Sequence, residues 1–218
     1  MQVALIGATG FVGAAILDEL LQRGHGVTAL ARTPAKLAPR PGLTVVQADA
    51  REQSDVAAAA RGHDAVVSAY NPGWNALELY AEFLRGHDAI VAGTKRAGIA
   101  RLLVVGGAGS LFVAPGVQLV DTPAFTEHVP PNIVPGARAA RDALTALRGE
   151  STLDWTFVSP PVGLAPGARS GAYRLGGEDV LLDGDKPAGI SVADLAVAIV
   201  DELERPRHSR QRFTVASV

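Results

Sequence analysis

The chain has 218 residues, 48 % of them hydrophobic, no cysteine and a formal net charge of −2 at pH 7. That length suits one domain with a substantial core and is short for two. The composition excludes disulfides, thiolate metal sites and cysteine nucleophiles, and the charge supplies no general pull toward nucleic acid or anionic lipid.

No apolar run approaches the roughly 20 residues of a membrane-spanning helix. "MQVALIG" reads as a strand that starts at once, not as a basic region ahead of an apolar segment. The expectation is a cytoplasmic protein, a monomer or homodimer, with no nucleic-acid or membrane partner.

Residues 3–6 are the first predicted strand, apolar throughout as a parallel strand covered on both faces would be. Gly7, Gly10 and Gly13 follow at three-residue spacing, and an amphipathic helix is predicted over 11–23. Further strands are predicted at 27–31, 44–47, 65–68, 101–105 and 156–159, and helices at 53–61, 77–97 and 137–148. This alternation predicts an α/β fold, a doubly wound parallel sheet of Rossmann type, as a single domain over 1–218.

Two regions depart from the pattern. Residues 111–135 hold five prolines and no helix period, which predicts a long loop able to act as a lid. Beyond Pro160 and Pro161 the alternation weakens, and residues 162–218 are predicted as a small cap beside the sheet. Within it, "SGAYRLGGEDVLLDGD" reads as an extended excursion. Ser191 and Asp194 have capping-box-like spacing at the start of a helix, and "RFTVA" reads as a last strand.

The glycines carry the first chemical signal. Glycine lets the chain turn tightly after a strand and lets helix amides approach a pyrophosphate, which the positive helix end favours. Gly13 would let the helix pack close on the strand. Strand, glycine loop, helix and second strand fall within the roughly 30 residues of one dinucleotide-binding unit. At the end of the second strand, where an acidic residue would accept the ribose hydroxyls of NAD, stands Arg32. A guanidinium pairs bidentately with a 2′-phosphate, and Lys36 adds charge four residues on, so NADP(H) is favoured over NAD(H).

Together with these residues, several further motifs resemble a known family. "GATGFVG" with Arg32, "ADA" at 48–50, "VSAYNPG" at 67–73, "VVGGAGS" at 104–110 and "SPP" at 159–161 resemble the atypical short-chain dehydrogenase/reductases. "GGAGSL", "QLVDTP", "LDWTFVSPP" and "SGAYRL", in that order, are most similar to their NADH-flavin reductase-like, NAD(P)H-binding group. In outline the chain is also similar to biliverdin IXβ (flavin) reductases and to NmrA-like redox sensors.

The resemblance implies that Thr9, Gly10, Phe11 and Val12 lie against the pyrophosphate and Arg32 against the adenosine phosphate. It implies that Asp49 and Ala50 flank the adenine and that Ala69 and Tyr70 border the ribose. Gly106, Gly107 and Ser110 would sit below the nicotinamide, with Pro160 and Pro161 near its carboxamide.

The chain departs from the family pattern where protons would move. The helix "GARAARDALTAL" holds neither the tyrosine acid nor the lysine four residues later that short-chain dehydrogenases use. Where flavin reductases place a histidine after the two prolines, this chain has Val162. Ser110 is the one candidate catalytic group, with a capping role as its alternative. Hydride transfer to a flavin, quinone or similar conjugated small-molecule acceptor demands less, because such acceptors spread the incoming charge and take a proton from water.

The reading is therefore an NADPH-preferring oxidoreductase, with flavin as a candidate substrate. Two alternatives stay open: a non-catalytic NADP(H)-binding sensor, and a pathway-specific reductase or isomerase. Trp74 and Tyr80 read as core or as a substrate wall. His128 reads as an exposed loop residue, and His25, His63, His87 and His208 share no metal-ligand spacing.

Overall fold

The alternation of apolar runs and amphipathic segments builds one sheet with helices on both faces. Its first half comprises β1 (Gln2–Ile6), α1 (Phe11–Gln22), β2 (Gly26–Ala31), β3 (Leu43–Gln47), α2 (Gln53–Ala60), β4 (Ala65–Ser68), α3 (Leu79–Arg96) and β5 (Arg101–Val105). Then come β6 (Phe112–Ala114), β7 (Val117–Gln118), α4 (Pro123–His128), α5 (Val134–Arg148), β8 (Asp154–Ser159), β9 (Gly163–Ala165) and β10 (Arg174–Gly176). The chain closes with β11 (Leu182–Asp183), β12 (Lys186–Pro187), β13 (Gly189–Ser191), α6 (Val192–Glu204) and β14 (Gln211–Ala216). The computed structural model describes residues 1–218.

The eight-stranded sheet has the order β10-β14-β8-β5-β4-β1-β2-β3. Every pairing is parallel except β10 with β14. Strand order reverses between β1 and β4, which opens a crevice at their carboxyl ends where ligands bind in such sheets. All residues of β4 and β5 are buried, which explains the apolar runs Ala65–Val67 and Leu102–Val105, with Arg101 and Ser68 the buried polar residues at their ends.

Successive strand residues feed two cores. Leu5, Val67, Leu103 and Phe213 pack with Ile16 and Leu20 of α1 and Ile199 and Leu203 of α6. Ile6, Val66, Leu102 and Phe157 pack on the other face with Val56 of α2, Ile90 of α3 and Leu144 of α5. No helix is long and apolar enough to cross a membrane.

Two expectations change. Residues 111–135 are not a structureless loop: they hold the β6–β7 hairpin, a 3-10 turn at Leu119–Asp121 and α4, and α5 begins at Val134. Leu111 and Val120 are wholly buried. Of the five prolines in this segment, Pro123 and Pro135 stand in the first turns of α4 and α5, where a missing N–H costs nothing, Pro115 is in the β6–β7 turn, and Pro130 and Pro131 lie between the two helices.

The carboxy-terminal region also divides. β14 enters the main sheet between β8 and β10, and α6 belongs to the layer beside α1, so both are integral to the fold. Only the short strands β9 and β11–β13 stay outside as a cap. The cap of α6 is as the spacing predicts: Ser191 Oγ accepts from the Asp194 amide at 3.0 Å.

Candidate functional site

The three glycines divide their labour. Gly7 has φ +87°, and a Cβ there would lie 2.3 Å from the Ala69 carbonyl oxygen, so the turn after β1 requires glycine. A Cβ on Gly13 would lie 2.0 Å from the Gly7 carbonyl oxygen, which makes Gly13 the contact that seats α1 against the loop. A Cβ on Gly10 would meet only the Gly7 oxygen, at 3.3 Å. Gly10 is exposed with Thr9 and Phe11 beside it, while Val12 is half-buried.

Gly10 is also the N-cap of α1, with no side-chain cap and no acidic residue in the first turn. The Gly10 amide donates to the Gly7 carbonyl at 2.9 Å and the Ala14 amide to the Gly10 carbonyl at 2.8 Å, so the Phe11, Val12 and Gly13 amides between them are left for an outside acceptor. Thr122 and Ser191 cap α4 and α6, whereas α2, α3 and α5 lack a side-chain cap as α1 does, so the glycine turn ahead of α1 is what sets its start apart. An uncapped helix start on a glycine turn fits an anion, because amides and helix dipole point the same way.

Beside this turn, Thr9, Ala31, Arg32, Thr33 and Lys36 line a pocket of about 260 Å³. Arg32 and Lys36 are both exposed. Asp49 feels the charge of Arg32 but is bound by another arginine: Arg51 Nη2 lies 2.7 Å from Asp49 Oδ2. Hydrogen bonding from Arg51 holds the Asp49 carboxyl below the ordinary carboxylate range. Arg51 also reaches Glu82 at 3.3 Å. Sequence reasoning missed Arg51, although a cation directly after "ADA" was a signal. Ala50 is buried beneath this cluster.

At the end of β4, the Ala69 amide donates to the Ile6 carbonyl at 2.9 Å, which fixes the loop beside the glycine turn. Tyr70 turns its ring away, onto α3. A Cβ on Gly86 would lie 2.2 Å from Tyr70 Cε1, and the Tyr70 hydroxyl donates to the Glu82 carbonyl at 3.2 Å. Burial pushes this hydroxyl up to about 12. Tyr70 therefore offers the crevice its backbone and not its phenol. The Tyr80 hydroxyl donates to Asp142 at 2.8 Å and the Tyr173 hydroxyl to Asp201 at 2.7 Å. Each tyrosine of the chain is thus committed to an acceptor within the protein.

At the end of β5 a Cβ on Gly106 would strike the Phe157 ring at 2.0 Å, whereas one on Gly107 would meet nothing nearer than Ala140 Cβ at 4.0 Å. Gly106 packs; Gly107 leaves the crevice floor open. Pro160 and Pro161 are buried in the bend after β8, and Val162 beyond them is exposed.

Ser110, the candidate catalytic group expected below the nicotinamide, lies beneath the crevice surface. It is 2 % exposed, and its hydroxyl lies 3.4 Å from Ser159 Oγ and 3.5 Å from Arg212 Nη1. The residues that bury it, Ser159 and Arg212, arrive from β8 and β14, far along the chain. His128 is exposed, with its Nδ1 2.8 Å from the Ala124 carbonyl. Trp74 is half-exposed and packs against α5, where a Cβ on Gly136 would lie 3.0 Å from Trp74 Cζ3. No group of three or more His, Asp or Glu side chains comes together as metal ligands.

The strand ends thus gather Gly7, Gly10, Gly13, Arg32, Asp49, Ala69 and Gly107 along one edge, with Ser110 beneath it. Residues 7–206 match the family described as NAD(P)H-binding. The chain belongs to the NAD(P)H-binding family. The protein YwnB of Bacillus subtilis (strain 168) is 38 % identical over 220 residues, covering 100 % of this chain and 99 % of its own.

Among solved structures, a "putative epimerase" from Bacteroides thetaiotaomicron is 43 % identical with TM-score 0.90, covering 100 % of this chain and 97 % of that one. A "putative NADH-flavin reductase" from Streptococcus pneumoniae TIGR4 is 34 % identical with TM-score 0.80 and covers 100 % of both chains. The likeness to the atypical short-chain dehydrogenase/reductases of the flavin reductase-like group, read from the motifs, holds.

Proposed function

We propose that this NAD(P)H-binding protein is an NADPH-preferring reductase that passes hydride to a flavin, quinone or similar conjugated acceptor. The residues present fit the cofactor: the uncapped start of α1 and the open side of Gly10 suit a pyrophosphate, and the Arg32–Lys36 pocket suits a 2′-phosphate. Thr9, Phe11 and Val12 would flank the pyrophosphate, Asp49 and Ala50 the adenine, and Ala69 with the Tyr70 backbone the ribose. Gly106 and Gly107 would floor the nicotinamide, with Pro160 and Pro161 at its carboxamide end. When bound, NADPH supplies a hydride.

One observation carries the choice of acceptor: each of the three tyrosines donates to an acceptor within the protein. A carbonyl substrate needs a side-chain acid as charge develops on its oxygen. A flavin or quinone delocalises that charge, so the chain's task reduces to binding, stacking and orientation. The relative from Streptococcus pneumoniae, 34 % identical and named for NADH-flavin reduction, supports the same class. The reading includes a cytoplasmic monomer or homodimer, the compartment in which NADPH is kept reduced.

The test is anaerobic mixing of the protein with NADPH and a panel of flavins and quinones, following loss of dihydronicotinamide absorbance. Saturable turnover of at least one acceptor is expected. Tight NADPH binding with no turnover of any acceptor would overturn the reductase and leave a redox sensor. Turnover confined to unconjugated carbonyls would overturn the choice of acceptor.

A further inference from the structure

Beneath the turn that follows Gly107 lies an arginine that no requirement of the sheet explains. Arg212 is the second residue of β14, in register with Phe157 of β8, and its side chain is 0 % exposed. Its Nη2 donates to the Glu178 carbonyl at 2.9 Å and also to the Glu178 carboxylate. Its Nη1 lies 3.3 Å from Ser159 Oγ and 3.5 Å from Ser110 Oγ, and those two hydroxyls are 3.4 Å apart. Its Nε has no partner.

Glu178 is the other end of the tie. Its carbonyl accepts from the Phe112 amide at 2.9 Å, and its carboxylate from Arg148 at 2.7 Å. The Ser110 carbonyl accepts from Gln118 Nε2 at 3.2 Å, so both sides of the 3-10 turn Ala108–Ser110 are held. The guanidinium is fully buried while the Glu178 side chain is 44 % exposed, and an ion pair open to solvent at one end contributes little to stability. This one is wired through two hydroxyls to a single turn, and that turn is the continuation of Gly106–Gly107.

We infer that Arg212 is a positioning residue for the nicotinamide half of the site, holding the Ala108–Ser110 turn, and with it Gly106–Gly107, through Ser110 and Ser159. The inference rests on the cofactor reading above. It gives the buried serine a job: Ser110 transmits position to the turn. It also gives the cap a connection to the site, because Glu178 belongs to the segment between β10 and β11.

The test compares two ligands. NADPH spans the whole crevice, whereas 2′,5′-ADP has the adenosine and its 2′-phosphate but no nicotinamide. Dissociation constants for both are measured by calorimetry on the full chain and on Arg212→Lys, Arg212→Met and Ser159→Ala. The lysine variant keeps the charge and loses the fork. Both Arg212 variants should weaken NADPH by about tenfold and 2′,5′-ADP by less than about twofold, the scale of lost charged hydrogen bonds. Ser159→Ala should give a smaller loss of the same selectivity.

Adding Ser110→Ala to Arg212→Lys should cost little more, since residues acting through one turn are not additive. Equal weakening of both ligands would make Arg212 merely structural and overturn the inference, as would full additivity of the double variant. Should the Arg212 variants not fold, Ser159→Ala decides: selective loss of NADPH supports the inference and unchanged NADPH overturns it. A parent that binds neither ligand would overturn the cofactor reading, and the inference with it.

Discussion

Removing the Arg32 guanidinium separates the two nicotinamide cofactors most cleanly. Arg32 and Lys36 line one pocket with Thr9 and Thr33, and the nearby carboxylate of Asp49 is bound by Arg51. The pocket therefore presents cations to a phosphate without an acidic residue competing for Arg32. A hydrogen bond to a charged group is worth about 1.5–3 kcal/mol, which is roughly ten- to a hundredfold in affinity. Arg32 is exposed, so solvent screening places the expected loss toward the lower end of that range.

Arg32→Ala should thus weaken NADPH by at least about tenfold and leave NADH within about twofold, because NADH lacks the phosphate the fork would hold. Lys36→Ala should give a smaller loss in the same direction, as an ammonium is a point charge without the fork. The preference for NADPH should shrink as salt rises from low to physiological and beyond, since exposed charge pairs are screened. Calorimetric titration of parent and variants with both cofactors, at two salt concentrations, supplies every number needed. Equal affinity of the parent for NADH and NADPH would refute the assignment, and equal weakening of both by Arg32→Ala would refute the geometry.

Other consequences follow from single residues. Gly10→Val should keep the fold and lose NADPH binding, whereas Gly13→Ala should lower the melting temperature sharply, because its Cβ would meet a backbone oxygen at 2.0 Å; unfolding curves and calorimetry on both variants check the contrast. Burial depresses the His87 imidazole to about 4, well below the 6.5 it has when unfolded. The unfolded chain then binds the extra proton first, so stability is full above pH 6.5 and falls by at most ~3 kcal/mol toward pH 4. His87→Leu should flatten that acid slope relative to the parent, measured by denaturant titration across the same pH range; an unchanged slope would refute the assignment to His87. Limited proteolysis should cut first within residues 122–133, where exposed α4 packs on little, and cofactor with acceptor should slow the cut; identical rates with and without them would remove the lid.

Much of the fold was legible because its determinants are local. The strand predicted at 65–68 and the one at 101–105 match β4 and β5 residue for residue, since a short apolar run rich in β-branched residues and bounded by turns suits a strand buried on both faces. The glycine turn was equally readable: Gly7, Gly10 and Gly13 act on one another within a single turn of chain. Arg32 was readable from its place at the end of β2, because strand ends in such a sheet face the crevice.

What could not be read depends on partners distant in sequence. Whether Tyr70 faces the crevice or α3 is settled by the missing side chain of Gly86. Ser110 is buried because β14 delivers Arg212 from 102 residues away, and nothing near "GGAGS" announces that arrival. Pro123 and Pro135 read as interruptions until the helices they begin had something to pack against. Propensity and glycine geometry act within a turn or a strand, so sequence alone determined the central strands and the glycine turn. Side-chain direction and burial are set by contacts between separate elements, so only the tertiary structure decided which polar groups face the crevice and which lie beneath it.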